Sequence, residues 1–179
     1  MADHSANLTC WINGTLKPAA EATVSILDHG FLYGDGVFEG LRFYGGKVFR
    51  INRHLDRLSC SARAIALEIP CDNATLASAI DDTIAASGLA DGYLRLIVSR
   101  GIGPLGLDPS HCRQPGVFII ASQINIVSDS IRQQGAKVII ASTRRLAPDG
   151  LDPRIKSLNY LNHILARIEA NLAGADEAI

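Results

Sequence analysis

Lys156 stands in "DPRIKSLNYLNHILARIEANLAG", directly ahead of a stretch with helical spacing. A helix start carries unpaired N–H groups and the positive end of a dipole, so basic side chains are normally favoured at the other end. A positive field disfavours an ammonium, which suits a lysine that must lose its proton to act as a nucleophile or imine former. A solvated loop lysine is the competing reading, and the residue type alone favours it. Arg53 and Arg57 lie four apart on a predicted helix. Such a like-charge pair costs about a few tenths of a kcal/mol. A bound phosphate reverses that sign, whereas Asp56 beside Arg57 equally fits a solvated mixed-charge face.

The stretch "DHGFLYGDGVFEGLRFYGG" sets Gly30, Gly34, Gly36 and Gly40 among Phe31, Tyr33 and Phe38. Glycines at this density let the backbone approach something flat, with Tyr33 and Phe38 as walls. The same composition also describes a glycine-rich turn with core aromatics. No GK[ST] follows, so a phosphate loop is excluded. In "GYLRLIVSRG" a period of two puts Tyr93, Arg95, Ile97 and Ser99 on one face, opposite Leu94, Leu96 and Val98. Arg95 is thereby expected among apolar neighbours, where a guanidinium needs a carboxylate or an anionic ligand. Arg100, at the strand end, is expected to face solvent.

These residues have to be positioned by an ordinary globular chain. Of 179 residues, 47% are apolar and 20% charged, which predicts a real core. The 17 basic residues nearly balance the 18 acidic ones, so no net field points to nucleic acid or an anionic membrane. Cys10, Cys60, Cys71 and Cys112 form no CxxC pair and no zinc-site spacing with histidine, so no metal is expected. Reduced, mostly buried thiols follow. The opening "MADHSANLTC" lacks the pattern of a signal peptide, and the apolar runs are too short to span a bilayer, so a cytoplasmic protein is expected.

Asn13-Gly14 and Gly45-Gly46 each sit between strand-like runs, the composition of tight hairpins. "INRHLDRLSCSARAIALEI" turns to helical spacing, with Leu55, Leu58, Ala62 and Ile65 on one face and Asn52 as a possible cap. "DNATLASAIDDTIAASG" is a second helix, capped near Asp72 or Asn73 and stopped by Gly88. Two strands follow, and the order β, β, α, α, β, β predicts an α+β fold with helices packed on an antiparallel sheet. The expected division is a first domain at 1–121, a connection at 122–134 and an incomplete second α/β domain at 135–179. In that second domain a helix is expected from near Lys156, with Leu158, Leu161, Leu165, Ile168 and Leu172 as its apolar face and Gly174 as its stop.

Taken together, "DHGFLYGDGVFEG", "HLDRL", "YLRLIVSRGIGPLGLDP" and "IKSLNYLN" resemble the class IV (fold-type IV) pyridoxal-phosphate aminotransferases, and most closely the branched-chain amino-acid aminotransferases. The resemblance runs from about Trp11 to Ile179. It implies pyridoxal 5'-phosphate as cofactor, Lys156 as the lysine that links covalently to it, Arg57 as a ligand of its phosphate and Tyr160 as a partner of its ring oxygen. It implies Tyr33, Phe38, Gly40, Tyr93 and Arg95 as substrate-pocket residues, with the arginine able to receive a second carboxylate. The expected reaction moves the amino group of L-leucine, isoleucine or valine to 2-oxoglutarate, in a homodimer. The D-amino-acid aminotransferases usually carry Tyr at the Phe38 position and a His-containing carboxylate trap in place of "GIGPLGLDP". Aminodeoxychorismate lyases share the lysine but resemble the chain less at "VFEG" and "YLRL". Family members continue past "DEA" to a Glu that binds the pyridine nitrogen, so a truncated chain with reduced or lost activity is expected. A non-catalytic dimerising or binding module is the alternative from another class.

Overall fold

The computed structural model describes residues 8–123 and 129–179. They divide into two compact units, one up to Gln123 with Ile155–Leu158 added, the other from Asp129 to Arg154 with Asn159–Ile179.

In the first unit β1 (Thr9–Ile12) and β2 (Thr15–Pro18) form the expected hairpin. Asn13 and Gly14 turn it with φ of 47° and 96°, values that asparagine and glycine reach at least cost. A short helix α1 (His29–Tyr33) then leads into the long strand β3 (Gly36–Tyr44), which turns back through Gly45-Gly46 into β4 (Lys47–Val48). Helices α2 (Ile51–Ala64) and α3 (Asn73–Ser87) follow, then β5 (Gly92–Ser99) and β6 (Gly116–Ser122). The six strands make one antiparallel sheet in the order β2-β1-β6-β5-β3-β4.

Both helices lie on one side of this sheet, α2 on β3 and α3 across β6 and β1. Leu55, Leu58 and Ala62 of α2 and Leu76, Ile80 and Ile84 of α3 are buried against Leu41, Phe43, Leu94, Leu96 and Ile119. The Asp72 side chain accepts from Thr75 N–H at 2.8 Å, and Gly88 closes α3 in the left-handed region at φ 67°. Asn52, by contrast, is inside α2 and caps nothing. The β3–β4 hairpin runs straight into the helix, and the corner is made by Arg50 at φ 53°.

Residues 155–158 pair with β3. Phe38 N–H donates to the Lys156 carbonyl at 3.0 Å, Leu158 N–H donates to the Gly36 carbonyl at 2.9 Å, and Val37 faces Ser157. This corrects the expected helix start. Backbone groups used in strand pairing cannot also serve a helix, so α5 (Leu161–Leu172) begins five residues after Lys156 and leaves Leu158 out.

The second unit holds α4 (Asp129–Gln134), β7 (Val138–Ile139), α5 and β8 (Glu177–Ala178), with β7 and β8 parallel. Of the expected connection 122–134, residues 124–128 lie outside the described residues and 129–134 are helical. Gly174 ends the helical stretch at φ 60°. Among the described residues only Ala170 of α5 is buried, while Leu161, Ile164, Leu165, Ile168 and Leu172 are 44–85% exposed. The periodicity is present, but the described residues leave the apolar face uncovered. Glu169 anchors α5 to the preceding loop by accepting from the N–H and hydroxyl groups of Ser142 and Thr143. Those four donors, led by the Thr143 hydroxyl, hold its carboxyl at about 2.

Candidate active site

Strand β3 presents alternate residues to opposite sides. Val37, Glu39, Leu41 and Phe43 point into the helix layer, and Phe38 and Gly40 point the other way. In register across β5, Phe38 faces Ile97, Gly40 faces Arg95, and Arg42 faces Tyr93. Phe38 is the centre of the resulting cluster. The Arg95 guanidinium carbon and the Lys156 Nζ each lie 4.1 Å from its ring centroid, and Arg95 is 5.9 Å from the Tyr93 ring. Gly40 makes room for this arrangement, since a Cβ there would fall 2.5 Å from the Tyr93 hydroxyl. The structure thus brings Phe38, Gly40, Tyr93, Arg95 and Lys156 together.

The two arginines differ from expectation in burial, and for Arg100 the expectation is overturned. Arg95 is half-buried and rests on aromatic faces, with no carboxylate at ion-pair distance among the described residues. Arg100, expected in solvent, is 7% exposed. It donates to both oxygens of Asp35, at 2.8 and 3.0 Å, and to the carbonyls of Ile65 and Ala66, at 2.6 and 2.7 Å. It thereby ties the end of α2 to the α1–β3 turn, a set of partners that appears only once the chain is folded.

Arg57 lies on the helix side. Its Nε and Nη2 donate to the two oxygens of Glu39 at 2.5 Å each, and His54 Nδ1 lies 2.8 Å from one of them. Glu39 is fully buried, while the Arg57 side chain remains 52% exposed. One helical turn beyond Arg57, the Ser61 hydroxyl accepts from Lys156 N–H at 3.1 Å, which fixes the lysine backbone to α2. Glu39, His54 and Ser61 are absent from the residues that the sequence singles out. A usable signal exists for the first: a carboxylate in the inward phase of β3, between Val37 and Leu41, requires a cation. The pair His54 and Arg57, three apart on the facing helix, supplies one.

Besides Arg57, two of the expected site residues have neighbours other than the Phe38 cluster. The Tyr33 hydroxyl accepts from Gly106 N–H at 3.0 Å, and its ring meets His29 edge-on at 4.9 Å. Tyr160, in the second unit, occupies the cap position of α5 and stacks on His163 at 4.3 Å. The cysteines are free, but only Cys10 is buried, and burial pushes its thiol up. Cys60 is exposed because Leu58 and Ala62 already take the inward phase of α2. Among the described residues no group of His, Cys, Asp and Glu could hold a metal ion, and no helix is long and apolar enough to cross a membrane.

A phosphorylated aldehyde needs a cation and an amine of the kinds these residues carry. A half-exposed guanidinium is held in one orientation, an amine lies on an aromatic wall, and Ser61 links the segments that carry them. Residues 36–179 match the family described as amino-transferase class IV. A Methanocaldococcus jannaschii protein named "Putative branched-chain-amino-acid aminotransferase" is 45% identical over 94% of this chain and 57% of its own length. The crystal structure of Escherichia coli branched-chain amino acid aminotransferase superposes with a TM-score of 0.90 and 29% identity, covering 96% of this chain and 58% of that one. The branched-chain aminotransferase of the thermophilic archaeon Thermoproteus uzoniensis, crystallised with norvaline, gives 0.86 and 32%, covering 96% and 59%. The chain therefore spans less than two thirds of the length of these relatives. With the sheet, the lysine segment and the matched span in agreement, the chain belongs to the class IV aminotransferases.

Proposed function

We propose a pyridoxal-phosphate-dependent aminotransferase that transfers the amino group of L-leucine, isoleucine or valine to 2-oxoglutarate. The observation that carries this reading is the Phe38 cluster, in which an amine and a guanidinium share one buried aromatic wall. Phe38 and Tyr93 offer an aliphatic side chain an apolar surface. Arg95, with no carboxylate of the described residues at ion-pair distance, is the group for the second carboxylate of glutamate. One pocket then accepts both partners of the exchange.

Pyridoxal phosphate, when bound, supplies the electron sink for breaking the substrate Cα–H bond. Lys156 Nζ would be its covalent attachment point and, once freed by the incoming amino group, the base that takes the Cα proton and passes it on, not back to the same Cα. Positioned proton transfer of this kind contributes on the order of 10² to 10⁴ in rate. Arg57 holds the phosphate. Tyr160 is assigned to the ring oxygen on the strength of the "IKSLNY" motif, and a homodimer on the strength of the resemblance. The nearness in sequence of a branched-chain relative at 45% identity favours L-branched substrates over D-amino acids.

The test is addition of pyridoxal phosphate, borohydride reduction and peptide mapping, followed by valine and D-alanine assays with 2-oxoglutarate or pyruvate as acceptor. A reduced adduct at Lys156 and turnover of valine are expected. A folded protein with no adduct at Lys156 would sink the cofactor reading, and turnover of D-alanine alone would sink the substrate reading. Sedimentation at the monomer mass would remove the homodimer.

A further inference from the structure

We propose that Glu39 is a positioning residue that holds Arg57 for the cofactor phosphate, with His54 as the second support of its carboxylate. The proposal rests on the reading of Arg57 as the phosphate ligand. Arginine side chains on helix surfaces ordinarily sample many rotamers, and a guanidinium that must meet a phosphate loses that freedom on binding. Here the freedom is already gone. Both Nε and Nη2 of Arg57 reach the same carboxylate at 2.5 Å, a side-on, two-bond contact that fixes the plane of the guanidinium as well as its location.

The carboxylate itself cannot move. Glu39 is 0% exposed, is built into the middle of β3 and is flanked inward by Val37 and Leu41. His54 Nδ1, at 2.8 Å, completes the coordination of Oε2. The same strand whose outward residues Phe38 and Gly40 form the substrate-side cluster thus sets the orientation of Arg57 on its inward side. One turn further along α2, Ser61 holds the Lys156 backbone. A carboxylate that served only to neutralise Arg57 would weaken phosphate binding, so its removal would strengthen it. Positioning predicts the opposite sign.

The test measures borohydride-trapped adduct at Lys156 against concentration for pyridoxal phosphate and for pyridoxal, taking the ratio of the two dissociation constants as the phosphate preference. Losing one well-made charged hydrogen bond corresponds to roughly tenfold or more in that ratio. Glu39→Gln is expected to lower the preference by about that factor while circular dichroism stays that of the parent chain. The loss should be absent when Arg57 is already alanine, a non-additivity that general destabilisation does not produce. An unchanged or raised preference in Glu39→Gln overturns the proposal. If Arg57→Ala alone leaves the preference intact, the phosphate assignment of Arg57 falls, and this proposal with it. If Arg57→Ala lowers the preference and Glu39→Gln does not, only the positioning role falls. Should Glu39→Gln fail to fold, Glu39→Asp keeps the charge but is one methylene too short for the two-bond contact. It is then expected to give a smaller loss, and a preference equal to that of the parent overturns the proposal. Binding of neither aldehyde at Lys156 overturns both readings.

Discussion

The two sides of strands β3 and β5 differ in how completely each residue is satisfied. On the helix side, Leu41, Phe43, Leu94, Leu96 and Val98 are all 0% exposed, and the one charged member, Glu39, has partners on both oxygens. On the other side, Tyr93, Arg95 and Ile97 are only half-buried, and the guanidinium rests on rings. The backbone that makes both sides is the same, with side chains changing sides at every residue. One side therefore supplies stability, and the other leaves polar and aromatic groups accessible.

This contrast can be broken most forcefully at Leu94. Leu94→Ala leaves a cavity in the closed side and is expected to cost about 4 kcal/mol of unfolding free energy in urea titration, and a cost below about 1 kcal/mol would end the distinction. Arg100→Met, at the end of the same strand, removes the cation from a buried pair and is expected to cost about 3 kcal/mol in the same measurement. Wild-type stability there would mean that Asp35 and the Ile65 and Ala66 carbonyls find other donors. Arg95→Gln sharpens the contrast from the open side, with a stability change below about 1 kcal/mol because half-exposed cation–π contacts to Phe38 and Tyr93 are all that is lost. Its use of 2-oxoglutarate should fall far more than its use of valine, and equal losses for both would count against a carboxylate role.

The smallest effect lies in the second unit. Four donors hold the Glu169 carboxyl at about 2, below its ordinary 4.5, so its stabilisation is complete above 4.5 and is lost as pH falls through about 2. The Thr143 amide proton shift should therefore titrate near pH 2 in NMR, and Glu169→Gln should abolish that step. A midpoint near 4.5 would mean that these bonds do not hold in solution.

What could be read from the sequence was what depends on near neighbours. The Asn13-Gly14 and Gly45-Gly46 hairpins, the Asp72 cap, the Gly88 stop and the alternation of β5 are each decided within a few residues, and all appear as expected. What could not be read depends on partners distant in the chain. Arg95 and Arg100 are told apart only by Asp35 and the end of α2. Lys156 looks like a helix start until Gly36 and Phe38 claim the backbone around it. Glu39 is visible as an inward charge, but its partners become visible only when α2 is laid on β3.

The pairing of residues 156–158 with 36–38 also has a consequence in time. Residues 37 and 157 are far apart in the chain, and closing so long a loop is an entropic cost borne before the contact forms. Lys156 should accordingly be among the last residues to reach its place during folding, and among the first to leave when the chain opens locally. Amide exchange at Leu158 and Phe38 faster than at Leu94 and Leu96 would report that late closure, with the sheet complete before the lysine segment docks on it.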